Sequence, residues 1–170
     1  LILAFALTAC DEIPGMNSST SQPDSASVSG GGDSSSSGGD SSCEVGGTEG
    51  YLGDTMATAF FNFTVSNAQS YTEVNGVTPA EGNKYLVVDM TVDNTSNYSM
   101  PMFNGEYGDF QIQWGSGDED YGWSLDEIIT DEQLPLEYEI PISGSEEGQL
   151  IFEVPAGSKD YALVFLEIYE

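Results

Sequence analysis

Asp118, Glu119 and Asp120 stand side by side between Gly117 and Tyr121, with Gly115 and Gly122 close on either side. Carboxylates clustered on a flexible loop are hard oxygen ligands, and they suit calcium, which tolerates irregular coordination. The spacing is not that of an EF-hand, because the position eleven after Asp118 is Ile129, where a bidentate glutamate is needed. Asp118, Glu119 and Asp120 are therefore candidates for an irregular calcium site, and otherwise the solvated acidic tip of a hairpin. Trp114, Tyr121 and Trp123 gather around the same loop. Aromatic rings exposed together can stack on sugar rings, as they do in ligand grooves. Alternation with Phe110 and Ile112 turns Trp114 inward, which leaves Tyr121 and Trp123 as the ligand candidates. The pairs Glu137/Glu139 and Glu146/Glu147 raise glycosidase chemistry, which needs two acids facing one another across a cleft. A small domain without long insertions has little room for a cleft. No residue is assigned a catalytic role.

What the chain lacks is as informative. Its 170 residues carry 29 acidic side chains against two basic ones, Lys84 and Lys159, for a formal charge of -27, with no histidine or arginine. Ser-His-Asp and Cys-His catalysis are impossible within the chain, and so is a histidine-ligated metal. A nucleic-acid partner is excluded, since binding needs cations to displace counterions from phosphates. An anionic lipid surface would repel the same charge.

The run Leu1–Ala9 is apolar and ends in Leu7-Thr8-Ala9-Cys10. A bilayer span takes about 20 residues, so this run is too short to be one. Small residues before a cysteine at the end of such a run resemble the lipobox of bacterial lipoproteins. On that reading residues 1–9 are the remnant of a signal peptide. Cys10 becomes the lipidated N-terminus and holds the chain to the outer side of the cell membrane. Two acyl chains at about 0.8 kcal/mol per buried methylene give a stable anchor. The alternative is a buried apolar strand followed by an ordinary free cysteine. Cys43, the only other cysteine, is then a lone thiol with no cation nearby to activate it. Residues 10–48 form the anchor and a linker. Of the 32 residues from Asp11 to Ser42, 12 are serine and 6 glycine, with no aromatic residue. Such a segment cannot bury enough apolar area to offset its ordering entropy and is expected to be disordered, with a reach of about 30–35 Å.

Residues 49–170 change character, and their apolar period is two. Leu86, Val88, Met90 and Val92 share one strand face, opposite Asp89, Thr91 and Asp93. Phe61, Phe63 and Val65 alternate with Asn62 and Thr64. Leu150, Phe152 and Val154 do the same around Ile151 and Glu153. Tyr161 to Tyr169 is apolar on both faces, the pattern of a central strand. Turn signals at Asn75-Gly76, Gly82-Asn83, Asp93-Asn94, Gly115-Ser116-Gly117 and Ala156-Gly157 separate these runs. Pro135 and Pro141 put the stretch between them at an edge or break it with bends. Only Ser124–Thr130 offers a short helix, with Ser124 as N-cap and Glu127 three residues on. About seven short strands in some 120 residues predict an all-β fold, an antiparallel sandwich preceded by a disordered linker.

Gly53-Asp54-Thr55, Gly82-Asn83-Lys84-Tyr85-Leu86-Val87-Val88-Asp89 and Gly148-Gln149-Leu150-Ile151-Phe152-Glu153-Val154-Pro155 carry a family likeness. The chain resembles the immunoglobulin-like domain of unknown function common in lipoproteins of Gram-positive bacteria. The resemblance implies an immunoglobulin-like β-sandwich akin to that of secreted mycobacterial antigens, and it brings no catalytic residues. The departure from the pattern is charge: residues 49–170 hold 23 acids against two lysines, a net -21. The expected function is a non-enzymatic, lipid-anchored interaction module facing a cell-surface protein or wall component. Its alternative is a calcium- or carbohydrate-binding module built on residues 114–123.

Overall fold

Alternation at period two decides which side chains of each strand meet the core. The computed structural model describes residues 2–8 and 49–166, and among them there is no helix. Eleven strands form in chain order: β1 (Ile2–Thr8), β2 (Glu49–Tyr51), β3 (Thr55–Ala57), β4 (Phe61–Tyr71), β5 (Asn83–Asn94), β6 (Met100–Phe103), β7 (Phe110–Gln113), β8 (Tyr121–Trp123), β9 (Glu137–Ile140), β10 (Ser145–Pro155) and β11 (Asp160–Leu166). One sheet runs β2-β1-β11-β7-β8 and a second runs β10-β5-β4-β3, while β6 and β9 make a separate pair. Every pairing is antiparallel except that of β1 with β2. The all-β sandwich expected from the sequence is the architecture found. The linker expected over residues 10–48 lies outside the described residues, as do Cys10 and Cys43.

Phe61, Phe63 and Val65 of β4 and Leu86, Val88, Met90 and Val92 of β5 face Phe110, Ile112, Leu163 and Phe165 of the opposite sheet. Four phenylalanines knit the two sheets together. Phe110 meets Phe63 edge-on with centroids 5.2 Å apart, and Phe165 meets Phe61 the same way at 4.8 Å. Edge-to-face pairing sets the positive ring edge on the negative face. A bulge interrupts β4 between Val65 and Asn67, after which Ala68 returns to the core side.

The outer face of the second sheet is also partly covered. Tyr85, Val87 and Ile151 form a second apolar cluster with Ile129, which belongs to the segment after β8. The short helix expected there does not form. Ser124 bridges to Phe152 instead, and its hydroxyl accepts a hydrogen bond from the Gly105 N–H at 2.8 Å, so it has no cap to give. Gln133 holds the segment open: its Oε1 accepts from Ile129 N at 3.0 Å and its Nε2 donates to the Glu127 carbonyl at 3.0 Å. Leu125 N donates to the Ile151 carbonyl at 2.7 Å, joining the β8 side of the first sheet to β10 of the second.

Turn chemistry matches the residues supplied. Asn75 and Gly76 both take positive φ, 49° and 81°, inside the tight Val74–Val77 bridge. Strand β9 lies between Pro135 and Pro141 and pairs only with β6, the edge position that two prolines permit.

Candidate functional site

The β7–β8 hairpin pairs Gln111 with Trp123 and Gln113 with Tyr121, so these four side chains share the outer face of the first sheet. The core residue Ile112, paired with Gly122, belongs to the inner face. Trp114 packs against the core, its ring lying where a Cβ on Gly122 would be, only 3.1 Å from the nearest ring carbon. Alternation thus separates the two tryptophans as the sequence suggested: Trp114 is inside and Trp123 outside.

A third ring joins the outer face. The β6–β7 loop is pinned at nearly every residue. Asn104 N donates to Leu136 O, Glu106 N to Asp126 Oδ1 at 3.1 Å, Gly108 N to Gly105 O, and Asp109 N to Phe103 O. Gly105 has φ 82°, and a Cβ on Gly108 would come within 2.7 Å of the Phe103 carbonyl oxygen, so both positions need glycine. Between them Tyr107 is held at φ 63°, a left-handed conformation uncommon for an aromatic residue, and its side chain is 81% exposed. Its ring lies 5.8 Å from that of Trp123, and Tyr121 meets Trp123 edge-on at 6.3 Å. Tyr107, Trp123 and Tyr121 therefore form one aromatic surface bordered by Gln111 and Gln113. Gln113 Nε2 donates to Gln111 Oε1 at 3.1 Å, which fixes both amides. Tyr107 could not be found by alternation, because it lies in a loop; its only signal was an aromatic residue set between two glycines, Gly105 and Gly108.

Beside this surface the hairpin tip borders an open hollow of about 370 Å³, lined by Gln111, Gln113, Asp118, Asp120 and Tyr121 among others. Asp120 is engaged in building the tip: its Oδ2 accepts from Gly117 N at 2.8 Å, and Trp114 N donates to its carbonyl at 3.0 Å. Asp118 and Glu119 are exposed. Among the described residues, no three acidic or thiol side chains converge closely enough to hold a metal ion. Glu137 and Glu139 point into solvent from β9, and Glu146 and Glu147 are exposed neighbours on β10.

Two groups behind the loop are electrostatically unusual. Burial pushes the Asp109 carboxyl above its ordinary value, and the Phe103 N–H, donating to Oδ2 at 2.7 Å, pulls it partly back. Burial drives the Tyr138 phenol well up; the Asp109 and Glu146 carboxylates add to this, and the Asn104 amide acts weakly the other way. Neither the Tyr138 hydroxyl nor Asn104 Oδ1 reaches a hydrogen-bond partner of regular geometry, although the two side chains are neighbours. Because the folded chain raises the Asp109 value above 3.8, Asp109 contributes stability only at low pH. That contribution is lost as pH rises from about 3.8 through the raised folded value. Asp109→Asn keeps an acceptor for Phe103 N and removes the charge. It is expected to raise the melting midpoint by a few degrees at pH 7 and to leave it unchanged near pH 3. An equal shift at both pH values would contradict the assignment.

No curated protein matches the chain. Among solved structures, the chain is similar to a conserved hypothetical protein from Bacillus anthracis at 14% identity. That alignment covers 66% of this chain and 87% of the other, with a TM-score of 0.48. It is also similar to an uncharacterized β-sandwich protein from Clostridium difficile at 15% identity, over 68% of this chain and 85% of that one, with a TM-score of 0.38. A family model described as a domain of unknown function, DUF4352, matches residues 51–170, from the last residue of β2 through β11. The chain belongs to the DUF4352 family.

Proposed function

We propose that this protein is a non-enzymatic interaction module, held by a lipid on Cys10 to the outer side of a cell membrane and presenting its sandwich to a surface protein or wall component. The observation that carries the reading is the order of parts in the chain. An apolar run ending in Leu7-Thr8-Ala9-Cys10 is followed by a serine- and glycine-rich stretch and then by a single β-sandwich. Residues 2–8 of that run form strand β1, paired antiparallel with β11. Palmitate fed to cells expressing the chain is expected to label it, and Cys10→Ala is expected to abolish the label. Label retained by the Cys10→Ala chain would refute the anchor.

The aromatic face supports a second reading, in which the ligand is a wall saccharide. Tyr107 is held in a left-handed conformation by a loop hydrogen-bonded on both flanks, and its exposed ring extends that of Trp123. Such strain persists only where the surroundings impose it, and it is common where a residue is displayed for binding. Aromatic faces bordered by amides suit sugar rings, whose C–H faces stack and whose hydroxyls take hydrogen bonds. Titration with soluble wall oligosaccharide should change tryptophan fluorescence saturably, and Trp123→Ala should weaken binding at least tenfold. Unchanged affinity in Trp123→Ala would remove this reading.

A further inference from the structure

Strand β11 has the makeup of a central strand. Tyr161, Leu163, Val164 and Phe165 are all buried, and they alternate across both faces. The strand has no proline and no lysine, and its pairing with β1 and β7 shows no bulge, so apart from Asp160 at its start it lacks the devices by which exposed edges avoid pairing. What makes it central is β1, which covers it in antiparallel register from Ile2 opposite Leu166 to Thr8 opposite Asp160. On the anchor reading proposed above, on which this inference rests, processing before Cys10 removes that strand and turns β11 into an open edge.

The Ser/Gly stretch offers no apolar strand in its place. The Ser/Gly stretch from Asp11 to Ser42 contains no aromatic residue and no apolar run. Strand β2 is three residues long and is tied to β3 by the Tyr51–Asp54 turn, in which Asp54 N donates to Tyr51 O at 2.9 Å. A second processed copy would bring a net -27 against a net -27, with Asp160 at one end of each edge and Glu167 next in sequence after the other.

We infer that the processed chain accepts an extended strand from another protein along β11, antiparallel and in the register that β1 occupies. The stand-in Ile-Leu-Ala-Phe-Ala-Leu-Thr defines its chemistry: about seven uncharged, mostly apolar residues. The acidic surroundings select cationic flanks. Main-chain hydrogen bonds supply the attachment, and alternate side chains read the two faces of the sheet.

The test uses the chain beginning at Cys10 and the peptide Ile-Leu-Ala-Phe-Ala-Leu-Thr with two lysines at each end. The processed chain is expected to bind this peptide saturably, at least tenfold more tightly than a peptide of equal charge with proline at its centre. Amide exchange over residues 161–166 should slow at least tenfold on binding. The full chain, whose edge is filled, should bind at least tenfold more weakly. Phe5→Pro in the full chain unseats β1 without shortening the molecule and should restore binding, which guards against a folding failure of the shorter form. Equal binding of both peptides, no binding by either chain with an opened edge, or a stable dimer of the processed chain would overturn the proposal. A mass spectrum of the cellular chain judges the anchor separately: retained residues 1–9 refute the anchor, whereas a processed chain that ignores the peptide refutes only the edge.

Discussion

Phe110→Ala is expected to cost about 3–5 kcal/mol of folding free energy, the usual range for a fully buried phenylalanine. Phe110 is one of the four rings through which the two sheets meet. It contacts Phe63 and Phe61 of β4 at centroid distances of 5.2 and 6.3 Å, and Phe165 of β11 at 5.9 Å. Truncation removes the transfer energy of the ring and leaves a void between two hydrogen-bonded sheets that cannot readily collapse toward each other. A domain of this size has about 5–15 kcal/mol in total, so the melting midpoint should fall by roughly 10–20 °C. Phe110→Leu, which keeps most of the volume, should lose less than half as much. The aromatic surface around Trp123 faces the other side of the sheet, so any ligand affinity measured below the new midpoint should be little changed. A loss under about 1.5 kcal/mol would mean that the sheets are not joined through this ring.

Asn94→Ala is expected to cost about 2–4 kcal/mol, although it removes only a small side chain. Asn94 ends β5 and is 4% exposed. The two hydrogens on its Nδ2 serve three carbonyls, those of Tyr98, Ile140 and Pro141, at 2.8, 3.0 and 3.1 Å. Its Oδ1 accepts from Ser96 N and Ser96 Oγ at 2.8 and 2.7 Å. One amide therefore ties the β5–β6 turn to the end of β9. Asn94→Asp sharpens the test. A carboxylate can still accept from Ser96, but it cannot donate, and it would face three carbonyl oxygens with a negative charge. That variant should be at least as unstable as Asn94→Ala at pH 7 and should recover part of the loss in acid, where the carboxyl is protonated. Chemical denaturation at two pH values distinguishes these outcomes, and a pH-independent loss would contradict the hydrogen-bond assignment.

Much of the fold could be read from period-two patterning, because a sheet with one buried face admits only one register. Leu86, Val88, Met90 and Val92 line the core, Pro135 and Pro141 bracket an edge strand, and Asn75-Gly76 makes a tight turn. Misleading signals arose where one residue had two possible partners. Ser124 has the chemistry of a helix cap, but its hydroxyl is taken by the Gly105 N–H, nineteen residues earlier. Tyr85 and Val87 lie on the face that alternation assigns to solvent, yet the loop carrying Ile129 folds over them. No local pattern encodes such cover, because it depends on long-range contacts such as the bond that Asn75 Nδ2 donates to the Ile129 carbonyl at 2.8 Å. The candidate surface was half legible. Tyr121 and Trp123 follow from strand alternation, whereas Tyr107 is brought to them by a loop whose geometry rests on Gly105 and Gly108. The acidic triplet was conspicuous in the sequence because acids are abundant, and in the fold Asp120 supports the hairpin tip.

The anchored-module account stands or falls on the N-terminus of the chain in its own membrane. The most direct measurement is the mass of the N-terminal peptide of chain extracted from cells with detergent. The account predicts a peptide that begins at Cys10, with a diacylglyceryl group on its sulfur and no trace of Ile2–Thr8. A peptide that carries Ile2–Thr8 joined to an unmodified Cys10 would contradict it, and would make β1 a permanent strand of the sandwich.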